Sequence, residues 1–255
     1  MTASTTTRPS SRVAALDRES ALRLAATEYG RFGALLRTLG PQDWARSTDC
    51  PGWDVRAVAG HVIGMAEMVA SARTFVAQNA GAARAGGGID ALTGLQVRRT
   101  ARLSPAELVD RFALVAPRAV RGRRRLAAAL GRFTLPEDQV IGGRTERWTF
   151  GFLFDVILTR DTWMHRVDVC SALAREPELA PEHDGAVVAD VVAEWAVRHG
   201  RPFRLQLTGP AGGTWSSGVG NGREPDELEL DAVEFCRLLS GRGAATGLLA
   251  QPVPF

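Results

Sequence analysis

Asp161 and His165 stand four residues apart, so on a helix they project from one face. The rest of that face, Phe154, Leu158 and Val169, is apolar. A carboxylate in an apolar helix stripe costs several kcal/mol unless something compensates its charge. A divalent metal would do so if a histidine from a facing helix joined the set. Three protein ligands leave one coordination position open, which is the catalytic rather than the structural arrangement. His61 shares a helical face with Ala57, Val58, Met65 and Met68, at spacings of three and four. The same residues admit a plainer reading. His61 then is a satisfied core histidine, and Asp161 with His165 a hydrogen-bonded pair neutralised by Arg160 or Arg166. Two histidines and a carboxylate also suit non-haem Fe(II), and the open position can hold water for a metal-dependent hydrolase.

Helices must hold these residues. Leu22, Leu24, Ala25, Tyr29, Phe32 and Leu36 recur with helical spacing from about 13 to 39, where Gly40-Pro41 ends the run. Cys50-Pro51-Gly52-Trp53 reads as a turn, and Asp54 as the N-cap of a second helix reaching about residue 79. A loop rich in Gly and Ala (81–88) follows. Ser104-Pro105-Ala106-Glu107 sets out a cap, a first-turn proline and a capping-box Glu for a third helix to about 130. Residues 131 to about 147 read as irregular. The fourth helix, about 149–173, carries Asp161 and His165, and Pro181 precedes a fifth that ends near Gly200. The period then changes to two in Phe203-Arg204-Leu205-Gln206-Leu207, in Thr214-Trp215-Ser216 after a Gly-Pro turn, and in Leu228-Glu229-Leu230. Asp231 and Glu234 open a last helix that stops at Gly241. The expected architecture is a four-helix bundle over 13–175, then a small α+β domain over 176–255. A Ser/Thr-rich tail, expected to be disordered, occupies 1–12.

Composition narrows the chemistry. The 255 residues contain no lysine, so all 31 basic side chains are Arg. That excludes Schiff-base catalysis on a side-chain amine and any P-loop. The net charge of +3 is too small to argue for nucleic acid. Arg121-Gly122-Arg123-Arg124-Arg125 reads as a solvated helix face, because no aromatic residues are interleaved for stacking. Cys50, Cys170 and Cys236 are odd in number and far apart, as buried small hydrophobes would be. Cys50 as a nucleophile would need a base and an electropositive setting. Gly86-Gly87-Gly88 is a flexible loop, since no strand precedes it and no Lys follows. His183 and His199 take ordinary structural places. Trp53 and Trp163 pack in the core or wall the metal pocket. No run of about 18 apolar residues occurs, and the first dozen lack the apolar stretch of a secretory signal. The expectation is a cytoplasmic protein, monomer or homodimer, with no membrane or nucleic-acid partner.

Three segments go further. Thr48-Asp49-Cys50-Pro51-Gly52-Trp53-Asp54-Val55-Arg56, continuing to Gly60-His61, resembles the start of the mycothiol-dependent maleylpyruvate isomerase family. Thr159-Arg160-Asp161-Thr162-Trp163-Met164-His165-Arg166-Val167-Asp168 is similar to that family's second metal-ligand motif. Gly213-x-Trp215 and Leu238-Leu239-Ser240-Gly241-Arg242 resemble its small C-terminal domain. The resemblance implies a DinB-like bundle in which His61, Asp161 and His165 bind a divalent metal, zinc in the family. The family has Glu where this chain has Asp161, one methylene shorter. Its carboxy-terminal Arg, implicated in activity, maps onto Arg242, which can equally be a cation facing a helix dipole. The implied activity uses mycothiol as thiol cosubstrate. A metal-activated thiolate adds to an electrophilic small molecule, giving cis–trans isomerisation after elimination or S-transfer without it. An Arg would hold a substrate carboxylate. The contrasting expectation is a non-catalytic protein that binds a small ligand or a partner.

Overall fold

The computed structural model describes residues 12–218 and 224–255. The expected tail therefore lies outside the described residues except for Arg12, whose backbone pairs with residues flanking Trp148. Asp17 accepts from the Ser20 N–H and opens α1 (Arg18–Arg37), five residues later than the apolar spacing suggests. Asp54 accepts from the Ala57 N–H and opens α2 (Val55–Ala70). The helix expected to run on to about 79 breaks at Ser71, which is extended and caps α3 (Ala72–Arg84) through the Thr74 N–H. The expected Gly-rich loop shrinks to a short link, and α4 (Gly88–Thr100) follows unforeseen. Its buried positions include Gln96 and Thr100, so it shows no apolar stripe.

Ser104 and Glu107 complete the capping box of α5 (Pro105–Leu130). The stretch read as irregular holds a hairpin of β1 (Gln139–Ile141) and β2 (Arg144–Glu146). Gly142 and Gly143 turn it with φ of +57° and +76°, as a two-residue primed turn requires. Thr149 caps α6 (Phe150–Phe152), which passes through a π-turn (Leu153–Ile157) into α7 (Leu158–Ala172). The buried Arg123 Nε donates to the Phe154 carbonyl there at 2.6 Å, satisfying a group in the wide turn.

Helices α1 and α2 each pack on both α5 and α7, which makes the expected four-helix bundle, while α3 and α4 fold back over α2. Phe32, Leu36, Val58, Val62, Ile63, Phe112, Phe154 and Leu158 fill its core. A second core forms on the other side of α7. There Trp163, Met164 and Val167 meet Val188, Val191 and Trp195 of α8 (Ala186–His199). Phe203, Leu205 and Leu207 of β3 (Phe203–Thr208) and Phe235 and Leu239 of α9 (Ala232–Leu239) complete it. The sheet order is β4 (Gly213–Ser217), β3, β5 (Asp226–Asp231), antiparallel on the first side and parallel on the second. Among the described residues no helix is long and apolar enough to cross a membrane.

The α2–α5 contact is set by one glycine. A Cβ on Gly122 would stand 1.9 Å from the Val69 carbonyl oxygen and 2.7 Å from its carbon, both backbone atoms. Gly122→Ala should therefore lower the unfolding free energy by about 2 kcal/mol or more. Urea titration reads this as a lower midpoint at unchanged slope.

Candidate metal centre

Each candidate ligand is placed by local chain chemistry. Cys50-Pro51-Gly52-Trp53 is a type II turn, closed by the Trp53 N–H on the Cys50 carbonyl at 3.0 Å, with Gly52 at φ +77°. It delivers Cys50 and Trp53 just ahead of α2, two turns before His61. Asp161 and His165 sit on adjacent turns of α7, as the spacing predicts. Gly241 (φ +82°) ends α9, and the Arg242 N–H returns to the Arg237 carbonyl at 2.9 Å. This Schellman turn directs Arg242 back toward α7.

The three side chains converge. His61 Nε2 lies 3.2 Å from Asp161 Oδ1, and His165 Nε2 lies 3.4 Å from the same oxygen. All three donor atoms fall within 4.8 Å of one another. Both histidines are buried, while the Asp161 side chain keeps 16% of its exposure. The arginines proposed as neutralisers turn elsewhere. Arg160 binds Asp190, Glu194 and the Pro254 carbonyl. Arg166 binds Glu28 and Asp184. Asp161 is left with two imidazoles, and its Oδ2 is buried without a hydrogen-bond partner.

Two further residues hold the imidazoles from behind. Asp168 accepts from His165 Nδ1 at 2.9 Å, and Gln96 Oε1 meets His61 Nδ1 at 2.9 Å. Arg242 grips Asp168 with Nε at 2.5 Å and Nη2 at 2.7 Å. The residue expected at a helix end thus reaches the cluster, with 13% of its side chain exposed. Its Nη2 also lies 3.5 Å from Cys50 Sγ, which donates to Asp168 at 3.3 Å. Cys50 therefore has the electropositive neighbour its reading as a nucleophile asked for. Trp53 walls the cluster, its ring centroid 5.2 Å from that of His61 and 6.0 Å from that of His165. Trp163 faces the second core and donates to Asp184 at 2.8 Å.

The electrostatics demand a cation. Burial opposes the Asp161 charge, yet the charges of His61 and His165 and their hydrogen bonds hold its carboxyl far below the usual carboxylate range. Burial likewise opposes a charged His165. The neighbouring Asp161 charge and hydrogen bonds to Asp161, Asp168 and Cys50 overcome it and raise the ring well above its ordinary value. Protons can supply the positive charge, and so can a metal ion. Two imidazole nitrogens and one carboxylate within 4.8 Å of one another, with the second carboxylate oxygen unpartnered, fit a divalent ion of the zinc type.

Asp168 and Gln96 carry no role in the sequence pattern read above. Asp168 had a signal, for it follows His165 by three and shares its face. Gln96 had none, since the helix carrying it was not foreseen. Another buried cluster, Glu28, His183 and Asp184, also groups metal-ligating types. It is filled already, for Arg166 bridges both carboxylates and His183 Nε2 meets Glu28 at 2.8 Å. His199 accepts from the Arg201 N–H, as a helix-end histidine does.

A helical bundle with a His-His-Asp cluster between two of its helices, and an Arg contributed by a small α+β layer, is the class of protein defined here. The mycothiol maleylpyruvate isomerase N-terminal domain matches residues 25–170. The chain belongs to that family. It is also 29% identical over 241 residues, covering 87% of this chain and 84% of the relative, to the uncharacterized protein Rv0036c of Mycobacterium tuberculosis strain H37Rv. The match to the uncharacterized protein MT0041 of strain CDC 1551 has the same extent. The crystal structure of the mycothiol-dependent maleylpyruvate isomerase superposes with a TM-score of 0.55 at 16% identity, over 89% of this chain and 90% of that one. A histidine-to-alanine mutant of that enzyme superposes at 0.51. The fold is the DinB-like one.

Burial raises the Asp168 carboxyl, but the hydrogen bonds and charges of His165 and Arg242 outweigh it and bring the group down to about 2. A depressed carboxylate stabilises the fold above its unfolded value near 3.9, and the contribution disappears as pH falls toward 2. Acid unfolding should therefore steepen between about pH 4 and 2, by about 2 kcal/mol in all. In Asp168→Asn the loss over that segment should shrink by about that amount, the rest belonging to other depressed carboxylates such as Asp161 and Asp184.

Proposed function

We propose that the chain is a metal- and mycothiol-dependent enzyme that activates a thiol for addition to an electrophilic small molecule, with cis–trans isomerisation or S-transfer as the outcome. His61, Asp161 and His165 are the metal ligands in this reading. What carries it is the buried convergence of two imidazole Nε2 atoms on an Asp161 carboxylate that no arginine neutralises. A divalent ion of the zinc type held there lowers the pKa of a thiol, making thiolate available at neutral pH.

The protein's own groups then have definite tasks. His61 and His165 donate through Nε2 because both Nδ1 atoms are engaged behind them. Asp161 supplies the negative charge and the third ligand atom. Trp53 covers the two rings and keeps water from one side of the cluster. Arg242 acts through Asp168 on the orientation of His165, and its positive charge at the rim favours an anionic substrate. Membership of the family supports mycothiol as the thiol, since the family's description and the matching crystal structures both name it.

Elemental analysis tests the site. About one divalent ion per chain is expected in wild type, and His61→Ala, Asp161→Ala and His165→Ala should each lose it while retaining helical circular dichroism. Turnover of maleylpyruvate or another electrophile should require both mycothiol and the ion. Well-folded wild type that takes up no zinc would remove the reading and leave a ligand-binding protein in its place.

A further inference from the structure

His61 is backed by a chain of amides that runs in one direction only. Gln78 Nε2 donates to the Gly64 carbonyl at 3.0 Å. A backbone carbonyl can only accept, so Gln78 must present its Oε1 to the next member. That member is Gln96, whose Nε2 donates to Gln78 Oε1 at 2.9 Å. Gln96 must therefore turn Oε1 toward His61, and it lies 2.9 Å from Nδ1. An amide oxygen also only accepts, so Nδ1 carries a proton; Nε2 donates to Asp161 at 3.2 Å when the ring is charged and carries the lone pair when it is neutral. Both glutamines are fully buried, so no water competes for these bonds.

The packing is shaped to admit this chain. A Cβ on Gly64 would stand 2.5 Å from Gln96 Cβ and Cγ, and a Cβ on Gly60 would stand 2.2 Å from Thr100 Oγ1. The two glycines flank His61 on α2 and let α4 approach closely enough for Gln96 to reach the ring. Both glutamines are buried with their amides bonded to the Gly64 carbonyl, to each other and to His61. Their joint effect is to settle which nitrogen of His61 faces Asp161.

We infer that Gln96 and Gln78 are positioning residues that fix His61 in its Nδ1–H tautomer and so set the affinity of the site for a divalent ion. The inference rests on the metal reading for its consequence, while the tautomer is read in the metal-free ring, where Gln96 at Nδ1 works against the Asp161 carboxylate at Nε2. Removing an outer partner of a ligating histidine typically lowers metal affinity about 10–100-fold.

Long-range proton–nitrogen NMR of the histidine rings in chelator-treated protein, at a pH where His61 is neutral, reads the tautomer. Competition titration of zinc against a chromophoric chelator reads the affinity. Wild-type His61 should be wholly Nδ1–H. Gln96→Leu should weaken zinc about 10–100-fold. Gln78→Leu, which touches neither histidine, should weaken it by a smaller factor and give a mixture of tautomers. An Nε2–H ring in wild type, or folded variants with unchanged tautomer and zinc affinity, overturns the inference. If the leucine variants do not fold, the wild-type spectrum decides alone. A wild type that is Nδ1–H yet binds no zinc upholds the relay and refutes the metal reading, so the two failures are distinguishable.

Discussion

Asp161 is a carboxylate set among helices with no guanidinium within ion-pair distance among the described residues. Most other buried acids are matched closely with arginine, Asp155, with Arg18 only at 3.9 Å, being the exception. Glu28 and Asp184 share Arg166, Asp190 and Glu194 share Arg160, Glu146 pairs with Arg198, and Asp168 with Arg242. A sequence whose 31 basic residues are all Arg has ample means to neutralise a carboxylate. At Asp161 it offers two imidazoles instead, whose charge depends on a proton or a metal. A desolvated carboxylate in that position gains most from a cation bound directly to it.

Helix α7 separates Asp161 from the ordinary ion pairs. Arg160 and Asp161 are neighbours in sequence, as are His165 and Arg166, and a step of one residue turns a helix side chain by about 100°. The two arginines therefore leave toward α8, the Glu28 side chain and the chain's carboxy-terminal residues, while Asp161 and His165 face α2. The same helix lines both apolar cores, through Leu158 and Val169 near one and Trp163, Met164 and Val167 on the other. The small sheet with α9 is thereby fixed to the back of the site. From there it returns Arg242 to Asp168 and Arg237 to Asp49, beside the turn that carries Cys50 and Trp53.

The sequence made the bundle legible because its helices are capped and striped. Asp54, Ser104 and Asp231 occupy the cap positions the pattern assigns, Asp161 and His165 share a face as their spacing suggests, and His61 meets them from α2. What escaped is what carries no apolar signal. Helix α4 buries Gln96 and Thr100, so its inner face looks like an outer one, and the glutamine relay vanished with it. Ser71 breaks a helix without Gly or Pro, by capping the next one. The π-turn before α7 depends on Arg123 reaching from α5, a contact between residues 31 apart that no local window contains.

The shorter carboxylate shifts where precision is needed. Asp161 and His165 share a helix, so their separation is set by α-helical geometry and has little freedom. If the proposed metal site holds, Asp161, where the resemblance implies Glu, would draw the meeting point toward α7, with His61 reaching it from α2. All adjustment therefore falls on His61: the α2–α7 distance, the tilt of its ring and the choice of nitrogen. Trp53 limits the tilt from one face, and Gln96 limits both tilt and tautomer from behind. The close α2–α4 contact at Gly60 and Gly64 is then part of the site's geometry, since a single added methyl group there would force Gln96 away from the ring it holds.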